Sequence, residues 1–235
     1  MTARTAGEAF AAATAALVNQ TDTAGILANV LADTAEVLQA DSVGLLVYTP
    51  RRSQLELLSS TSHVAAELEL YQLQHDTGPC LEVLQSNQAV LVSLQSGMRD
   101  RWPPVGSAIA DAGFVAVHAY PLRWRGRTIG ALNAFFAQDI ADEVDPQGQM
   151  FADIATLVVT QQPELSEPAI SARIDDALRG RIVIEQAKGV IAYRESLKIA
   201  ESYVWLRSMA ADRGLTLSEA AQLVIDQAQA GHSDG

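Results

Sequence analysis

Apolar residues recur at two different spacings along the first part of the chain. Between residues 21 and 38 they return every three or four positions, which predicts an amphipathic helix. Residues 42–48 and 54–60 are instead short apolar runs on either side of a segment that contains Pro50, and they predict two strands joined by a turn. The chain is therefore expected to begin with a helix followed by a hairpin.

Further helices and strands follow this hairpin. Residues 114–123 and 127–136 predict a second hairpin, because they flank Trp124-Arg125-Gly126 and glycine suits a tight turn. The other predicted elements are helices at 64–73, 79–84, 104–111 and 146–161, a strand at 89–93, and a loop rich in Gly, Trp and Pro before residue 104. This order predicts an α+β fold in which helices cover the faces of an antiparallel sheet.

The last third of the chain has only helical patterns. Pro163 and Pro168 cannot both lie inside one continuous helix, so residues 163–168 are predicted to form a linker. Beyond this linker, three helices are predicted at residues 171–193, 196–213 and 216–229.

Capping residues support two of these helices. Ser196 is the expected N-cap of the second, and Thr216 with Glu219 forms a capping-box pattern at the start of the third. The predicted organisation is an N-terminal helical extension (1–20), an α+β domain (21–162), a linker (163–168), a three-helix module (169–229) and a flexible tail (230–235).

Charge is distributed unevenly between these parts. The net charge is −12, which opposes indiscriminate binding to nucleic acid because an acidic surface repels phosphate. Residues 1–164 have 8 basic and 18 acidic residues, whereas residues 165–213 have 8 basic and 7 acidic residues, including both lysines, Lys188 and Lys198. Any contact with nucleic acid is therefore expected on a local face of the last third.

Several classes of protein are disfavoured by composition. No apolar stretch is long enough to cross a membrane, and the alanine-rich start contains Glu8 and lacks the order of a signal peptide, so a cytoplasmic protein is expected. Cys80 is the single cysteine and the four histidines are not paired at helical spacing, so neither a disulfide nor a metal site is expected. No catalytic motif or phosphate-binding loop stands out, and no enzymatic activity is expected.

The run RIVIEQAKGVI at residues 181–191 resembles the signature of the ANTAR family, and the two later helices are similar to those of that family. The resemblance implies a domain that binds RNA hairpins with short single-stranded loops and so controls transcription termination, and it favours a homodimer. Residues in or near this signature are the candidate RNA-binding residues: Arg181, Gln186, Ala187, Lys188, Gly189, Arg194 and Arg207.

Other interpretations of these residues stay open. Glycine inside a helix costs about 1 kcal/mol relative to alanine. The presence of Gly189 is therefore explained by the close approach either of RNA or of a second helix. Arg181 has Glu185 four positions away, at the spacing of a helical ion pair. Arg194 and Arg207 are equally compatible with a solvated helix face.

Residues 21–162 resemble a GAF domain of the type that precedes ANTAR modules in actinobacteria. The resemblance rests on TGPCLE (77–82), RWP (101–103) and AYPL (119–122), together with the glycine-containing second hairpin. It implies a pocket for a small molecule or signal between the sheet and its covering helices. The cyclic-nucleotide motif of some GAF domains is absent, so the ligand and any cofactor stay unknown.

Candidate pocket residues are Cys80, Trp102 and His118. Cys80 follows Gly78-Pro79 at an expected helix start, where it is either a redox switch or chromophore attachment point, or a packed core cysteine. His118 either holds a ligand or haem or is a hydrogen-bonded core histidine. Trp102 either closes the pocket or anchors a loop.

Two functions follow from these expectations. The first is a signal-responsive RNA-binding regulator, a transcription antiterminator whose GAF domain controls the ANTAR module. The alternative is a regulator that acts through protein interactions and in which the helical module has no role with RNA.

Overall fold

The computed structural model describes residues 5–19, 22–49, 54–93, 95–140, 145–160 and 167–230. Its helices are α1 (Ala6–Asn19), α2 (Thr23–Leu38), α3 (His63–His75), α4 (Pro79–Ser86), α5 (Gln95–Arg101), α6 (Pro103–Asp111), α7 (Pro146–Thr160), α8 (Glu167–Glu195), α9 (Ile199–Arg213) and α10 (Leu217–Ala230). Its strands are β1 (Ser42–Thr49), β2 (Gln54–Ser60), β3 (Val90–Val92), β4 (Ala116–Trp124) and β5 (Arg127–Phe136).

The strands form one antiparallel sheet in the order β2-β1-β5-β4-β3. Side chains alternate between the two faces of each strand, and β4 shows the consequence clearly. Tyr120 and Leu122 point into a core formed with α2 and α7, whereas Val117 and Ala119 point into a separate core beneath α3, α4 and α6. The predicted α+β fold is confirmed, with helices on both faces of the sheet.

Helix α7 lies close to the first face because of a glycine. A Cβ atom on Gly148 would lie 2.2 Å from Cζ of Tyr120, so a larger residue there would require either the Tyr120 ring or α7 to shift. Helix α1, the predicted N-terminal extension, adds Ala9 and Ala13 to the same core. The extension is therefore packed against the sheet domain.

One helix on the second face differs from its prediction. The segment before residue 104 was expected to be a loop, but Gln95–Arg101 forms α5. Met98 is fully buried, and a Cβ atom on Gly106 would lie 1.9 Å from its carbonyl oxygen, so α5 and α6 are in backbone contact. Arg99 donates to Asp111 at 2.7 Å across the pair. Helix α5 is held by packing against α6, and its own residues have no local hydrophobic periodicity. The prediction of a loop was therefore wrong.

The C-terminal helices also differ from the predicted bounds. Of the predicted linker, residues 163–166 lie outside the described residues, and α8 already begins at Glu167. Pro168 fits in the first turn of α8, where its missing N–H has no intrahelical partner to lose. The N-cap of α9 is Lys198, not Ser196, whose φ of 53° is left-handed.

The predicted capping box of α10 is confirmed. The amide of Glu219 donates to Oγ1 of Thr216 at 3.2 Å, and the amide of Thr216 donates to Oε2 of Glu219 at 2.9 Å. The three helices bury a small core of their own, to which Ala24 of α2 also belongs. The helical module is thus joined to the sheet domain through a shared hydrophobic cluster. No described helix is both long enough and apolar enough to span a bilayer.

Candidate functional site

Helix α8 lies against α2 of the sheet domain through small residues. Ala24, Ala28 and Ala32 follow one another at four-residue spacing on α2 and line the junction with α8. A Cβ atom on Gly180 would lie 2.4 Å from Cβ of Ala24, which is closer than two such atoms can approach. The absence of a side chain at Gly180 is therefore a condition of this contact.

Asp22 links the same two regions by hydrogen bonds. Its Oδ1 accepts from the amide of Gly25 at 3.0 Å and so caps α2. Its carboxylate also accepts from the amide of Ser218 at 2.9 Å and from the Ser218 hydroxyl at 2.6 Å. One carboxylate therefore serves the N-terminal ends of both α2 and α10, where helix dipoles favour negative charge.

Arg181 of α8 reaches the edge of the sheet. Its Nη1 donates to the carbonyl oxygen of Leu57 on β2 at 3.0 Å. Burial lowers the pKa of Arg181, and the neighbouring Glu185 acts in the opposite direction. Because β2 is an edge strand, this guanidinium occupies an acceptor that would otherwise be unpaired at the edge of the sheet.

Lys188 is buried at the same junction, with only 5% of its surface exposed. Its Nζ donates to both carboxylate oxygens of Glu185, at 2.9 and 3.0 Å, and lies 5.9 Å from the centre of the Tyr203 ring. It lines a cavity of about 70 Å³ whose other walls come from α2, β2, α8 and α9. In this arrangement Lys188 faces the sheet domain, not solvent.

The opposite face of α8 is open. Gln186 and Gly189 are exposed, Tyr193 is 87% exposed, and Arg194 donates to the carbonyl of Gln227 at 3.2 Å. A Cβ atom on Gly189 would meet nothing within 4 Å, so no described segment of this chain requires a glycine there. A groove between α8 and α10 runs along this face.

The remaining candidate residues lie elsewhere in the module. Ala187 is fully buried in its core. Arg207 is half-buried, with its guanidinium 6.0 Å from the Tyr203 ring. The seven candidate RNA-binding residues therefore do not form one continuous surface in this arrangement.

The three candidate residues of the sensor domain are separated by the sheet. Cys80 and Trp102 belong to the second core, whereas His118 lies on the opposite face with Tyr120, whose hydroxyl is 3.2 Å from Nδ1. The Trp102 indole donates to Glu82 at 3.0 Å, and the guanidinium of the preceding residue binds the same carboxylate, which anchors this segment. These three residues do not line a common pocket.

Cys80 is fully buried. Burial raises the pKa of its thiol, and the neighbouring Glu69 raises it further. The thiolate is the reactive form of cysteine, so this environment favours the unreactive thiol.

A buried polar cluster beside Cys80 was not predicted from the sequence. Nδ2 of Asn133 donates to both carboxylate oxygens of Glu69, at 2.7 and 2.8 Å, and Gln72 donates to the same carboxylate at 2.8 Å. Oε1 of Gln72 then accepts from the amide of Cys80 at 3.1 Å. Burial raises the pKa of Glu69 to about 8, although the Asn133 hydrogen bond acts against this shift. The sequence contained one signal for this cluster, which is the polar residue Asn133 inside the apolar run of β5.

The fold and these contacts define a two-domain protein, in which an α+β domain with a closed polar cluster is joined to a three-helix module. Comparison with family models identifies both parts. The chain belongs to the GAF domain family, whose model matches residues 22–159, more than half of its length. An ANTAR domain follows at residues 172–225. Both resemblances noted in the sequence are thereby confirmed.

Two solved structures show similarity to this chain. The GAF domain of a phosphoenolpyruvate-protein phosphotransferase from Acinetobacter is 14% identical, with a TM-score of 0.47, and the match covers 73% of this chain and 94% of that chain. A GAF domain/HD domain protein from Geobacter sulfurreducens is 16% identical, with a TM-score of 0.47 and coverage of 68% and 97%. No curated protein matches the chain.

The two families define the general kind of protein. GAF domains sense signals and bind small ligands, and ANTAR domains are RNA-binding antitermination domains. Both are regulatory rather than catalytic domains. The chain therefore has the architecture of a signal-responsive regulator.

Proposed function

We propose that this protein is an RNA-binding transcription antiterminator whose GAF domain controls its ANTAR domain. The proposal rests on the open face of α8 inside the ANTAR segment, where Tyr193 is almost fully exposed and Gly189 contacts no described segment. Bases in RNA loops stack on aromatic rings, and a glycine lets a nucleic-acid backbone approach a helix closely. Gln186 and Arg194 add polar contacts on the same face.

The other candidate residues have supporting roles in this proposal. Arg207 contributes positive charge near the ring of Tyr203, and Ala187 maintains the core that holds α8 in place. Arg181 and Lys188 carry the remaining charge of the signature. A single module is nearly neutral, so a homodimer that binds two hairpins would gain avidity without new contacts.

The GAF domain is proposed to receive the signal in the second core, beside Glu69. Among the described residues the carboxyl group of Glu69 accepts from amide donors, and its raised pKa keeps a proton on it, so it is suited to a ligand that brings a hydrogen-bond acceptor. Cys80 and Trp102 border this core, and a small molecule is the expected ligand. The protein is expected to act in the cytoplasm, where its RNA would be found.

A binding assay tests the RNA function. The full chain and a covalent tandem dimer are incubated with a library of RNA hairpins with randomised loops, between about 50 and 200 mM salt. Binding should weaken as salt rises. Tyr193→Ala should reduce affinity about tenfold, because stacking of one base contributes about 1–3 kcal/mol.

Tyr48→Ala is the matched control, since Tyr48 is an exposed aromatic residue of the sheet domain that lines a groove with Leu73 and Leu84 and with no residue of α8. It should bind RNA as the native protein does. The proposal fails if neither the chain nor its tandem dimer binds any hairpin at low salt. It also fails if Tyr48→Ala and Tyr193→Ala weaken binding equally.

The alternative, a regulator that acts through protein contacts, is favoured by exposed apolar side chains on the same module. Val204 is 66% exposed, and Ile182 and Trp205 are also exposed. Absence of RNA binding in the assay above, with the fold intact, would favour this alternative.

A further inference from the structure

We infer that the contact between the two domains is autoinhibitory: α2 and β2 hold Arg181 and Lys188 away from RNA, and the module binds fully only after α8 separates from them. This inference rests on the proposed RNA function and adds its regulation. It follows from where the charges lie, how the junction is built, and what connects the junction to the polar cluster of the GAF domain.

The positive charges of the ANTAR signature are the first argument. Lys188 and Arg181 are the two cations inside the run at residues 181–191, and both have protein partners at the junction. Phosphate contacts supply most of the affinity of proteins for nucleic acid. A module whose two signature cations face another domain therefore binds RNA weakly for as long as that contact lasts.

The construction of the junction is the second argument. From Gly180 onward it combines alanine and glycine contacts with two polar links, one from Asp22 to Ser218 and one from Arg181 to the Leu57 carbonyl. Before Gly180, Ile174 and Ala177 of α8 are buried in the core of the sheet domain. A cavity of about 70 Å³ remains between the two domains, whereas protein cores leave few voids larger than a water molecule. Small contact residues, few hydrogen bonds and incomplete packing around Arg181 and Lys188 describe a contact that can open while Ile174 and Ala177 keep the start of α8 in the core of the sheet domain.

A short connection between the junction and the GAF polar cluster is the third argument. A Cβ atom on Gly44 of β1 would lie 2.3 Å from Oε1 of Glu69, so this strand runs directly over the buried carboxylate. Gly44 pairs with Ser60 of β2, and Ser60 lines the junction cavity together with Lys188. A ligand that displaces β1 at Glu69 would therefore move the wall on which α8 rests.

Gly180→Ala is the variant that opens the junction. Alanine favours the helix more than glycine does, so α8 itself is strengthened, but the new methyl group would overlap Ala24. Ala24→Gly combined with Gly180→Ala removes the overlapping atom and should restore the closed form. Ser218→Ala removes one hydrogen bond to Asp22 and should give a smaller opening.

The two lysines provide a direct readout of opening. Lys198 is exposed and Lys188 is buried, so the rates at which acetic anhydride acetylates them, measured by mass spectrometry, can be compared within one molecule. In the native protein Lys188 should react much more slowly than Lys198. In Gly180→Ala the two rates should converge, and affinity for the hairpin library should rise about tenfold, a typical coupling between sites. The double variant should reverse both changes.

The possible outcomes separate the two proposals. If Lys188 reacts as fast as Lys198 in the native protein, the closed form is not populated and the inference is wrong. If Gly180→Ala exposes Lys188 but binds RNA no better than the native protein, autoinhibition is wrong while the RNA function stands. If no variant binds RNA although Lys188 becomes exposed and circular dichroism shows intact helices, the RNA function itself fails and the inference fails with it.

Discussion

Glu69 and Lys188 are both buried charged residues, but they are buried in different ways. Glu69 lies within the GAF domain, between the sheet and the helices that cover it. Lys188 lies at the surface of the ANTAR domain and is covered by a second domain. Both positions are unusual, since Glu and Lys are almost never fully buried unless they are paired.

Their partners differ as well. The carboxyl group of Glu69 is held by the amides of Gln72 and Asn133, and burial raises its pKa to about 8. Lys188 has a carboxylate partner in Glu185, which is itself partly exposed. Glu69 is therefore accommodated by holding a proton, whereas Lys188 is accommodated as an ion pair.

This difference shows which group can act as a switch without loss of the fold. Glu69 can reach water only if the core of the GAF domain opens. Lys188 reaches water when the part of α8 that carries it separates from α2 and β2, and this leaves the core beneath α3, α4 and α6 intact. A buried charge in a core thus affects stability. A buried charge at a junction affects stability as well, and opening of the junction also determines whether the charged side chain is accessible to water.

The largest predicted effect is on the pH dependence of stability through Glu69. The folded protein holds the proton of this group up to about pH 8, whereas the unfolded chain releases it near the ordinary value of 4.5. The stabilisation from protonated Glu69 is thus fully present below the unfolded pKa and is lost as pH rises through 8. Between these two pKa values the free energy of unfolding of the native protein should fall by about 1.4 kcal/mol per pH unit because of this group. Glutamine cannot ionise, so this pH-dependent component should be absent in Glu69→Gln.

Urea unfolding of both proteins at several pH values between 5 and 8.5 measures this difference. The native protein should lose stability relative to Glu69→Gln as pH rises, by several kcal/mol across the range. Glu67→Gln, an exposed carboxylate on the same helix, is the control and should change stability by less than about 1 kcal/mol at every pH. Parallel curves for the native protein and Glu69→Gln would contradict the protonated carboxyl.

A smaller effect is predicted at Lys188. Lys188→Glu places a second carboxylate beside Glu185 under α2, and should lower the free energy of unfolding by about 3 kcal/mol or detach the module. Lys188→Met keeps the length of the side chain, and Glu185 can turn to solvent, so it should cost less than about 1 kcal/mol. Equal effects of the two substitutions in thermal and urea unfolding would mean that Lys188 is solvated in the native protein.

Hydrophobic spacing was sufficient to predict the sheet and most of the helices. The hairpins at β1–β2 and β4–β5 follow from short apolar runs and turn signals, which act locally. Helix α5 was missed because Met98 is buried through contact with α6, which no local pattern records. The same limit applies to the placement of His118, since strand alternation alone does not show which face carries the pocket.

The candidate site was only partly predictable, for a similar reason. Arg181, Ile184, Lys188 and Ile191 follow one another at 3, 4 and 3 positions, so the two cations share a helical stripe with buried apolar residues. That spacing was visible in the sequence and indicates a covered face. The covering surface was not predictable, because Asp22 and Ser218 are 196 positions apart in the chain.

The smallest predicted effect compares one tyrosine from each region. The Tyr203 hydroxyl at the junction is buried and has no hydrogen-bond partner among the described residues, while the Tyr120 hydroxyl contacts His118 and the backbone of Asp145. Tyr203→Phe removes an unsatisfied polar group and should raise the free energy of unfolding by about 1 kcal/mol, whereas Tyr120→Phe should lower it by about 1 kcal/mol. Phenylalanine keeps the aromatic ring at position 203, so the contact between this ring and the ammonium group of Lys188 is retained. Calorimetry should show melting temperatures that move in opposite directions by about 2–4 °C. A loss of stability in Tyr203→Phe would show instead that this hydroxyl has a bound partner at the junction, and the junction would then resemble the satisfied core around Tyr120.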